Sequence, residues 1–486
     1  MIDRIEIVKG AASAAWGPAL GGVVNIVTKS PDWERPVGGM LSGSIGKRAT
    51  ADGRLELSGA GKAVGYYLSG GTLRSDGLQP NNGVQLNHAY LKLVRRDEAG
   101  GTLTASGLAV NDHFGYDEGL WAHSWPVHDD GSNSLGNLSL DYSRPLAPRL
   151  RLDLDGHLRT WKGETDLNDR IDGENIPFAW TRVRESERGA GVRLTWGDDR
   201  RSLAVGTEYA HARTRSELVA PAAAPFYDKD WDRWEAYANG VLSIGPVTVL
   251  PGVRYDRTGI AGGVASATLG ITWQATERTL LRAYGARGYG MPSVVEPTSN
   301  RLMKVYAAQA GFETADIPYM WFKGTWFYNR GRDIESTGTG VVSNQDRQGA
   351  EVEGRTVPWH GLSLTGGYTY ADVRDPDTGV RVETDSSMSV PRHVVKAGLL
   401  YDDAGAGLRG TLTANWVSWN QSAASFAVDR GAVWDLHLSW KVRPQDDLSP
   451  ELFASGRNLF SNVQTTSDDL YVNAPAWFEG GVRWRF

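Results

Sequence analysis

The chain has 486 residues, a net charge of −6, 59 glycines, 19 tryptophans, 18 tyrosines and no cysteine. Without cysteine there is no disulfide or thiolate metal site, and the mixed charge offers neither a basic nucleic-acid patch nor a polybasic lipid tail. No apolar run reaches the 18 or so residues of a membrane helix; a barrel remains open, because its alternating strands keep average hydropathy unremarkable.

The first element is IEIVKGAASAAWGPALGGVVNIVTK, residues 5–29. It reads as two short apolar strands, 5–8 and 23–27, around a turn of Gly, Ala and Ser. Such a hairpin is marginal alone in water, so it must pack on something. Gly10, Gly17, Gly21 and Gly22 are read as tight-turn and close-approach positions inside a crowded interior. A phosphate-binding loop is excluded, since no Lys-Ser/Thr follows the second glycine. Met1-Ile2-Asp3-Arg4 runs straight into the strand, without the pattern of a signal peptide.

From about residue 37 one pattern repeats: segments of about ten residues in which apolar and polar side chains alternate. In RLRLDLDGHLRT, Leu150, Leu152, Leu154 and Leu158 share one face, while Arg151, Asp153, Asp155, His157 and Arg159 share the other. In GAVWDLHLSWKV, Trp434, Leu436, Leu438 and Trp440 oppose Asp435, His437, Ser439 and Lys441; at the end Val482, Trp484 and Phe486 oppose Arg483 and Arg485. Each segment therefore has a greasy and a charged side. The length exceeds the 5–6 residues usual in soluble sheets and matches a tilted membrane strand. Aromatics near segment ends (Tyr66, Tyr67, Tyr142, Trp161, Trp196, Tyr209, Tyr255, Trp273, Tyr284, Tyr401) suit interfacial girdles.

Strands are expected near 37–46, 52–60, 63–75, 84–96, 101–112, 134–143, 149–161, 182–196, 201–213, 231–243 and 246–257. They continue near 264–274, 278–289, 303–313, 317–330, 346–356, 361–373, 391–402, 407–418, 430–442, 449–460 and 478–486, making 22. Connections alternate between tight (AGKA, SRPLAPR, GDDRRS, SIGP, QATER, DDAGAG) and long (113–133, 162–181, 214–230, 290–302, 374–390, 461–477). That asymmetry separates short periplasmic turns from long extracellular loops. The fold class is all-β, a 22-stranded antiparallel transmembrane barrel with the N-terminal hairpin in its lumen.

Two segments invite chemistry. DLDG at 153–156 lacks the other ligands of a calcium loop and reads as a solvated charge ladder with Arg151 and Arg159. The segment 111–134 carries His113, Phe114, Tyr116, Trp121, His123, Trp125 and His128, an aromatic and polar set suited to a planar or chelated ligand, or else a self-packed surface loop. Its histidines lack metal-site spacing, so no metal is assigned. There is no Gly-x-Ser-x-Gly elbow, no cofactor motif, and no expectation of an enzyme.

These features together resemble the TonB-dependent outer-membrane receptors, along essentially the whole chain. IDRIEIVKGAASAAWGPALGGVVNIVTK is similar to the last hairpin of that family's plug, with Lys9, Gly10, Ser13, Trp16, Gly17, Gly21, Gly22 and Asn25 as its motif positions. RAYGARGYGMPS, AQAGFETADI, RQGAEVEG and ASGRNLFSNVQ resemble further family segments, and a terminal Phe486 resembles the signal read by the barrel-assembly machinery. The resemblance implies residues 1–35 as the end of a plug domain, 36–486 as a barrel in outer-membrane lipid, and the hairpin's remaining partner strands upstream of Met1. It also implies energised import of a ferric siderophore first, or cobalamin second, and coupling to the TonB complex only with the rest of the plug present. A haem ligand is disfavoured, because GMPSVVEPTSNRLM has no histidine. A passive porin is the alternative, but a porin has no use for the hairpin. A barrel bearing only this hairpin is expected to leak.

Overall fold

The computed structural model describes residues 1–78, 81–116, 129–171, 174–220, 224–291, 301–335, 342–382, 391–419, 431–462 and 474–486. A hairpin comes first: β1 (Ile2–Lys9), a single helical turn α1 (Ser13–Trp16) and β2 (Gly22–Thr28). The wall follows as β3 (Gly38–Gly46), β4 (Thr50–Ala60), β5 (Val64–Ser75), β6 (Val84–Arg96), β7 (Thr102–Tyr116), β8 (Asp129–Ala147), β9 (Leu150–Ile171) and β10 (Glu174–Gly197). Next are β11 (Arg201–Ala220), β12 (Ala224–Ile244), β13 (Val247–Thr258), β14 (Gly262–Gln274), β15 (Thr279–Gly290), β16 (Met303–Thr314) and β17 (Met320–Glu335). The last are β18 (Val342–Thr356), β19 (Leu362–Arg374), β20 (Pro391–Asp403), β21 (Leu408–Trp419), β22 (Val433–Lys441), β23 (Glu451–Arg457) and β24 (Trp477–Arg485).

β3 to β24 form one closed antiparallel barrel of 22 strands in which every strand pairs with its sequence neighbours. β24 closes on β3, with Arg485 opposite Met40 and Glu479 opposite Gly46. The Phe486 N–H donates to Gly39 O at 3.0 Å, and Gly39 N–H to Phe486 O at 2.7 Å. Closure removes the sheet edges, the requirement for crossing lipid in β form.

Alternation sorts the side chains as the sequence requires. Leu154 and Leu158 point outward and stay exposed, as do Leu138, Leu140, Trp196 and Trp484. On the other face Asp153 accepts from Arg151 Nε and Arg193 Nε, both at 3.2 Å, so DLDG is a charge ladder. His437 and Ser455 lie 2.8 Å apart, and Glu451 accepts from Arg483 and Arg485, each at 2.9 Å.

Several expectations need correction. Segments 162–181 and 214–230 are largely strand rather than loop: β9 and β10 pair out to Ile171 opposite Glu174, and β11 and β12 out to Leu218 opposite Ala224. They stand above the lipid, where no apolar face is needed, so apolar–polar alternation fades although the backbone ladder continues. Segment 111–134 also shrinks. His113, Phe114 and Tyr116 belong to β7, which pairs with β8 up to Tyr116 opposite Asp129. SRPLAPR is mostly the end of β8. Finally, not all the aromatics at segment ends meet lipid: Tyr67 is buried against Tyr90, and Tyr284 bonds the hairpin inside. Position along a strand gives depth, whereas parity decides the side.

Candidate functional site

The hairpin lies inside the barrel and is bonded to opposite walls. Its base is held at β4 and β6. Lys29 Nζ donates to Glu56 at 2.5 Å, Lys92 Nζ donates to the carbonyls of Thr28 and Lys29 at 3.2 and 3.0 Å, and the Thr28 and Tyr90 hydroxyls lie 2.9 Å apart. Its tip is held at β12 to β18. In a ring of 22, β4 and β15 stand eleven places apart, so the hairpin bridges the bore.

Ser13 organises the tip. It is fully buried, and its Oγ accepts from Tyr289 N–H at 3.0 Å and Ala19 N–H at 3.2 Å. One hydroxyl thus fastens both the returning chain and the wall. The Tyr284 hydroxyl donates to the Ala11 carbonyl, Asn239 Nδ2 to that of Ala14, and Gln309 Nε2 to that of Lys9. Ala11, Ala12, Ala14 and Ala19 are buried, and small side chains let the tip approach the wall closely. The wall reciprocates at Gly288, where an added Cβ would stand 2.8 Å from Ser13 Oγ and 3.0 Å from Ala11 Cβ.

The remaining motif positions divide. Gly17 has φ +79°, and a Cβ there would stand 3.0 Å from Arg254 Nη2; Gly10 and Gly22 are likewise left-handed and crowded. Gly21 is not: nothing lies within 4 Å of its Cβ position and its φ is ordinary, so the structure does not explain a glycine there. Trp16 remains exposed at the tip. Lys9 Nζ reaches Glu351 at 2.6 Å; because the lysine is largely exposed, this contact is worth at most about 1 kcal/mol.

Beneath the tip is a charged cluster that sequence reasoning missed. Arg254 donates to Asp256 Oδ1 at 2.9 Å and pairs with Glu235, which also faces Arg233 at 3.4 Å. Arg254, Glu235 and Asp256 are almost entirely buried. In the sequence they look like any charged lumen face; only their cover, Gly17, distinguishes them. The seats at Tyr284, Gly288 and Tyr289 fall within RAYGARGYG, which the sequence marks without revealing what it touches.

Glu6 lies on the hairpin, where Asn25 Nδ2 donates to it at 2.9 Å and Arg4 Nε at 2.7 Å. The Asn25 bond, then Arg4, hold its carboxyl below the ordinary range. A depressed pKa contributes stability that is present above the unfolded value and lost as pH falls through the folded one. The hairpin should therefore keep its order from neutral pH down to about pH 5 and loosen only below the usual glutamate range near 4. Because the chain has no cysteine, a spin label on Val24→Cys reports this directly. Glu6→Gln should abolish that acid-dependent step, and an unchanged step would refute the assignment.

Of the ligand candidates, register puts His113 on the same wall face as Ser132 and Gln85, and Phe114 on the opposite face with Gly131. The two therefore do not converge. The backbone of Tyr116 ends β7, and Trp121, His123, Trp125 and His128 lie outside the described residues. Among the described residues no cluster of three or more His, Asp or Glu could hold a metal. A cavity of about 930 Å³ opens at the end with the short turns, between Lys29, Glu56, Glu451, Arg485 and Phe486.

A closed, charge-lined barrel with a segment bonded across its bore is an obstructed outer-membrane channel, not an open one. The chain belongs to the TonB-dependent receptors: the family described as "TonB dependent receptor-like, beta-barrel" matches residues 66–459. Its place is the bacterial outer membrane. It is 22% identical over 378 residues to the vitamin B12 transporter BtuB of Vibrio vulnificus, covering 70% of this chain and 59% of that protein. The chain thus spans under two thirds of that relative. Among solved structures, the copper transporter OprC superposes with a TM-score of 0.83 at 13% identity, over 100% of this chain and 87% of that one. The FrpB iron transporter of Neisseria meningitidis gives 0.79 at 15%, over 100% and 88%. At such identities the likeness is one of fold.

Proposed function

We propose that residues 1–35 are the end of a plug and 36–486 the barrel around it, and that the protein imports a bulky, scarce nutrient under TonB control. A ferric siderophore is the first substrate class and cobalamin the second. The observation that carries this reading is the hairpin fastened to both walls, an obstruction that must move before anything large can pass. A passive porin has no need of such a bar. The names of the relatives, a vitamin B12 transporter and an iron transporter, agree with the two classes. Ile5 pairs with Ile26 and Ile7 with Val24, which puts four exposed apolar side chains on one hairpin face. Further plug strands would cover that face and carry the pull of TonB. Phe486, whose backbone closes the seam, serves as the assembly signal.

The test is uptake of labelled ferric siderophore and cobalamin by receptor-deficient cells carrying the barrel with a complete plug, with and without TonB. TonB-dependent uptake of one ligand is expected. Trp121→Ala with Trp125→Ala should weaken it at limiting ligand while leaving barrel assembly unchanged. Uptake that is proportional to concentration and indifferent to TonB would favour the porin.

A further inference from the structure

Beneath the hairpin tip the carboxylates outnumber the cations. Register sets Glu208 on β11, Glu235 on β12 and Asp256 on β13 directly opposite one another on the lumen face, and like charges so placed are destabilising. Arg233 reaches Glu208 at 3.9 Å and Glu235 at 3.4 Å, while Arg254 pairs with Glu235 and, at 2.9 Å, with Asp256. Two guanidiniums therefore face three carboxylates. The neighbours do not correct the imbalance. Asp155 comes next along the row, its Oδ1 2.7 Å from where a Cβ of Gly191 would stand, and Gly191 lies opposite Glu208. Arg193, on the same face of β10, is engaged by Asp153 at 3.2 Å. The tip that covers the row, residues 11–20, contains no charged residue. Glu235 and Asp256 are 4% and 0% exposed, so bulk water does not offset the surplus.

A second observation lies on the other side of Asp256. Tyr289 is fully buried and packs with Val264, the register partner of Asp256, which brings its hydroxyl toward that carboxylate. Neither the Tyr289 hydroxyl nor Asp256 Oδ2 has a hydrogen-bond partner among the described residues. The same holds for the hydroxyl of buried Ser266, on the same strand face as Val264. Buried polar atoms are nearly always satisfied by protein, water or an ion. Three orphaned oxygens beside a surplus negative charge match an ion better than a water, because a water leaves the charge uncompensated. The ion they match is singly charged. A divalent ion takes six or more oxygens and several carboxylates, whereas this set is one carboxylate and two hydroxyls with Arg254 alongside.

We infer that one monovalent metal cation, sodium or potassium, binds among Asp256 Oδ2, Tyr289 Oη and Ser266 Oγ behind the hairpin tip. The amide of the same Tyr289 donates to Ser13 Oγ at 3.0 Å, so the ion steadies the wall at the point where the tip is fastened. The site does not depend on the identity of any imported nutrient.

The test uses the full chain refolded in neutral detergent, with the metal chlorides themselves as probes. The thermal midpoint should rise saturably with sodium or potassium chloride and stay level in choline chloride, because a ligand of the folded state alone shifts the midpoint by mass action. Choline at the same ionic strength screens charges equally and cannot enter so small a site. Crystals soaked in rubidium chloride should show one anomalous peak among the three oxygens. Asp256→Asn should abolish the salt-specific rise. Tyr289→Phe and Ser266→Ala, which each remove one hydroxyl and guard against misfolding, should weaken the apparent affinity about tenfold, the scale of one hydrogen bond to a charged group. Tyr284→Phe loosens the tip without touching the site and should leave the response to salt unchanged. An equal rise in choline chloride, no anomalous peak, a stronger response to calcium than to sodium, or a midpoint that follows pH and ignores the salt would each overturn the assignment. So would a full response from both hydroxyl variants.

Discussion

Gly288→Val is expected to drive the hairpin tip from its seat and raise the conductance of the barrel in a planar bilayer several-fold, toward that of a chain lacking residues 1–35. The added side chain must occupy space where Ser13 Oγ, Ala11 Cβ and the Ala19 carbonyl already lie within 3.2 Å of a Cβ. It thereby displaces the hydroxyl that receives both the Tyr289 and Ala19 amides. The wall itself should tolerate the change, since valine suits a strand. Gly285→Val in the same strand is the control, because nothing lies within 4 Å of its Cβ position. The unmutated chain should already leak ions around the hairpin, through its charged and therefore wet lumen. If Gly288→Val conducts no better than Gly285→Val, the tip is not what narrows the bore.

The second large effect is expected at Arg254. Its guanidinium is buried between Glu235 and Asp256, and replacing it with leucine strips Asp256 of its ion-pair partner and leaves Glu235, out of water, with only Arg233 at 3.4 Å. Breaking a buried pair from one side costs about 3–5 kcal/mol. Arg254→Leu should therefore lower the urea midpoint of the refolded barrel sharply and loosen the tip, because Gly17 rests on that side chain. Removing all three charges together, with Glu235→Leu and Asp256→Leu, should recover most of the loss, since well-packed apolar replacements of buried ion clusters are often neutral or stabilising. Equal destabilisation by the single and triple variants would mean that the cluster contributes shape rather than charge balance.

What could be read from the sequence follows from where lipid imposes a pattern. Wherever a strand crosses the apolar layer, one face must be greasy, and all 22 crossings show that alternation; Leu150 to Leu158 on β9 is typical. Above the layer both faces meet water. Residues 162–171, KGETDLNDRI, therefore carry no apolar period and read as loop, although they continue β9. The site was legible on the hairpin side and not on the wall side. Ser13, Lys9 and Gly17 stand in one short stretch whose composition demands a packed turn. Their partners Tyr289, Glu351 and Arg254 are hundreds of residues away, and nothing local sets Arg254 apart from Arg151. Parity also explains the aromatic errors: Tyr67 and Tyr284 sit at girdle depth but point inward.

The pairing of β24 with β3 has a consequence for assembly. Neighbouring strands meet across a few residues, whereas this seam joins residues 40–46 to 479–485. Loop-closure entropy rises only with the logarithm of length, so bringing those ends together costs about 4 kcal/mol more than closing a tight turn. Seven paired positions and the two hydrogen bonds of Phe486 repay that difference only when the last strand is present along its full length. The hairpin tip, meanwhile, is seated on β12 to β18, away from the seam between β24 and β3. The bar can therefore be laid against the wall while the seam is still open and be enclosed afterwards, which spares it from threading a finished cylinder. A chain stopped one strand short would present two unpaired edges and an uncovered bar, the kind of intermediate that pairs with its neighbours instead of with itself.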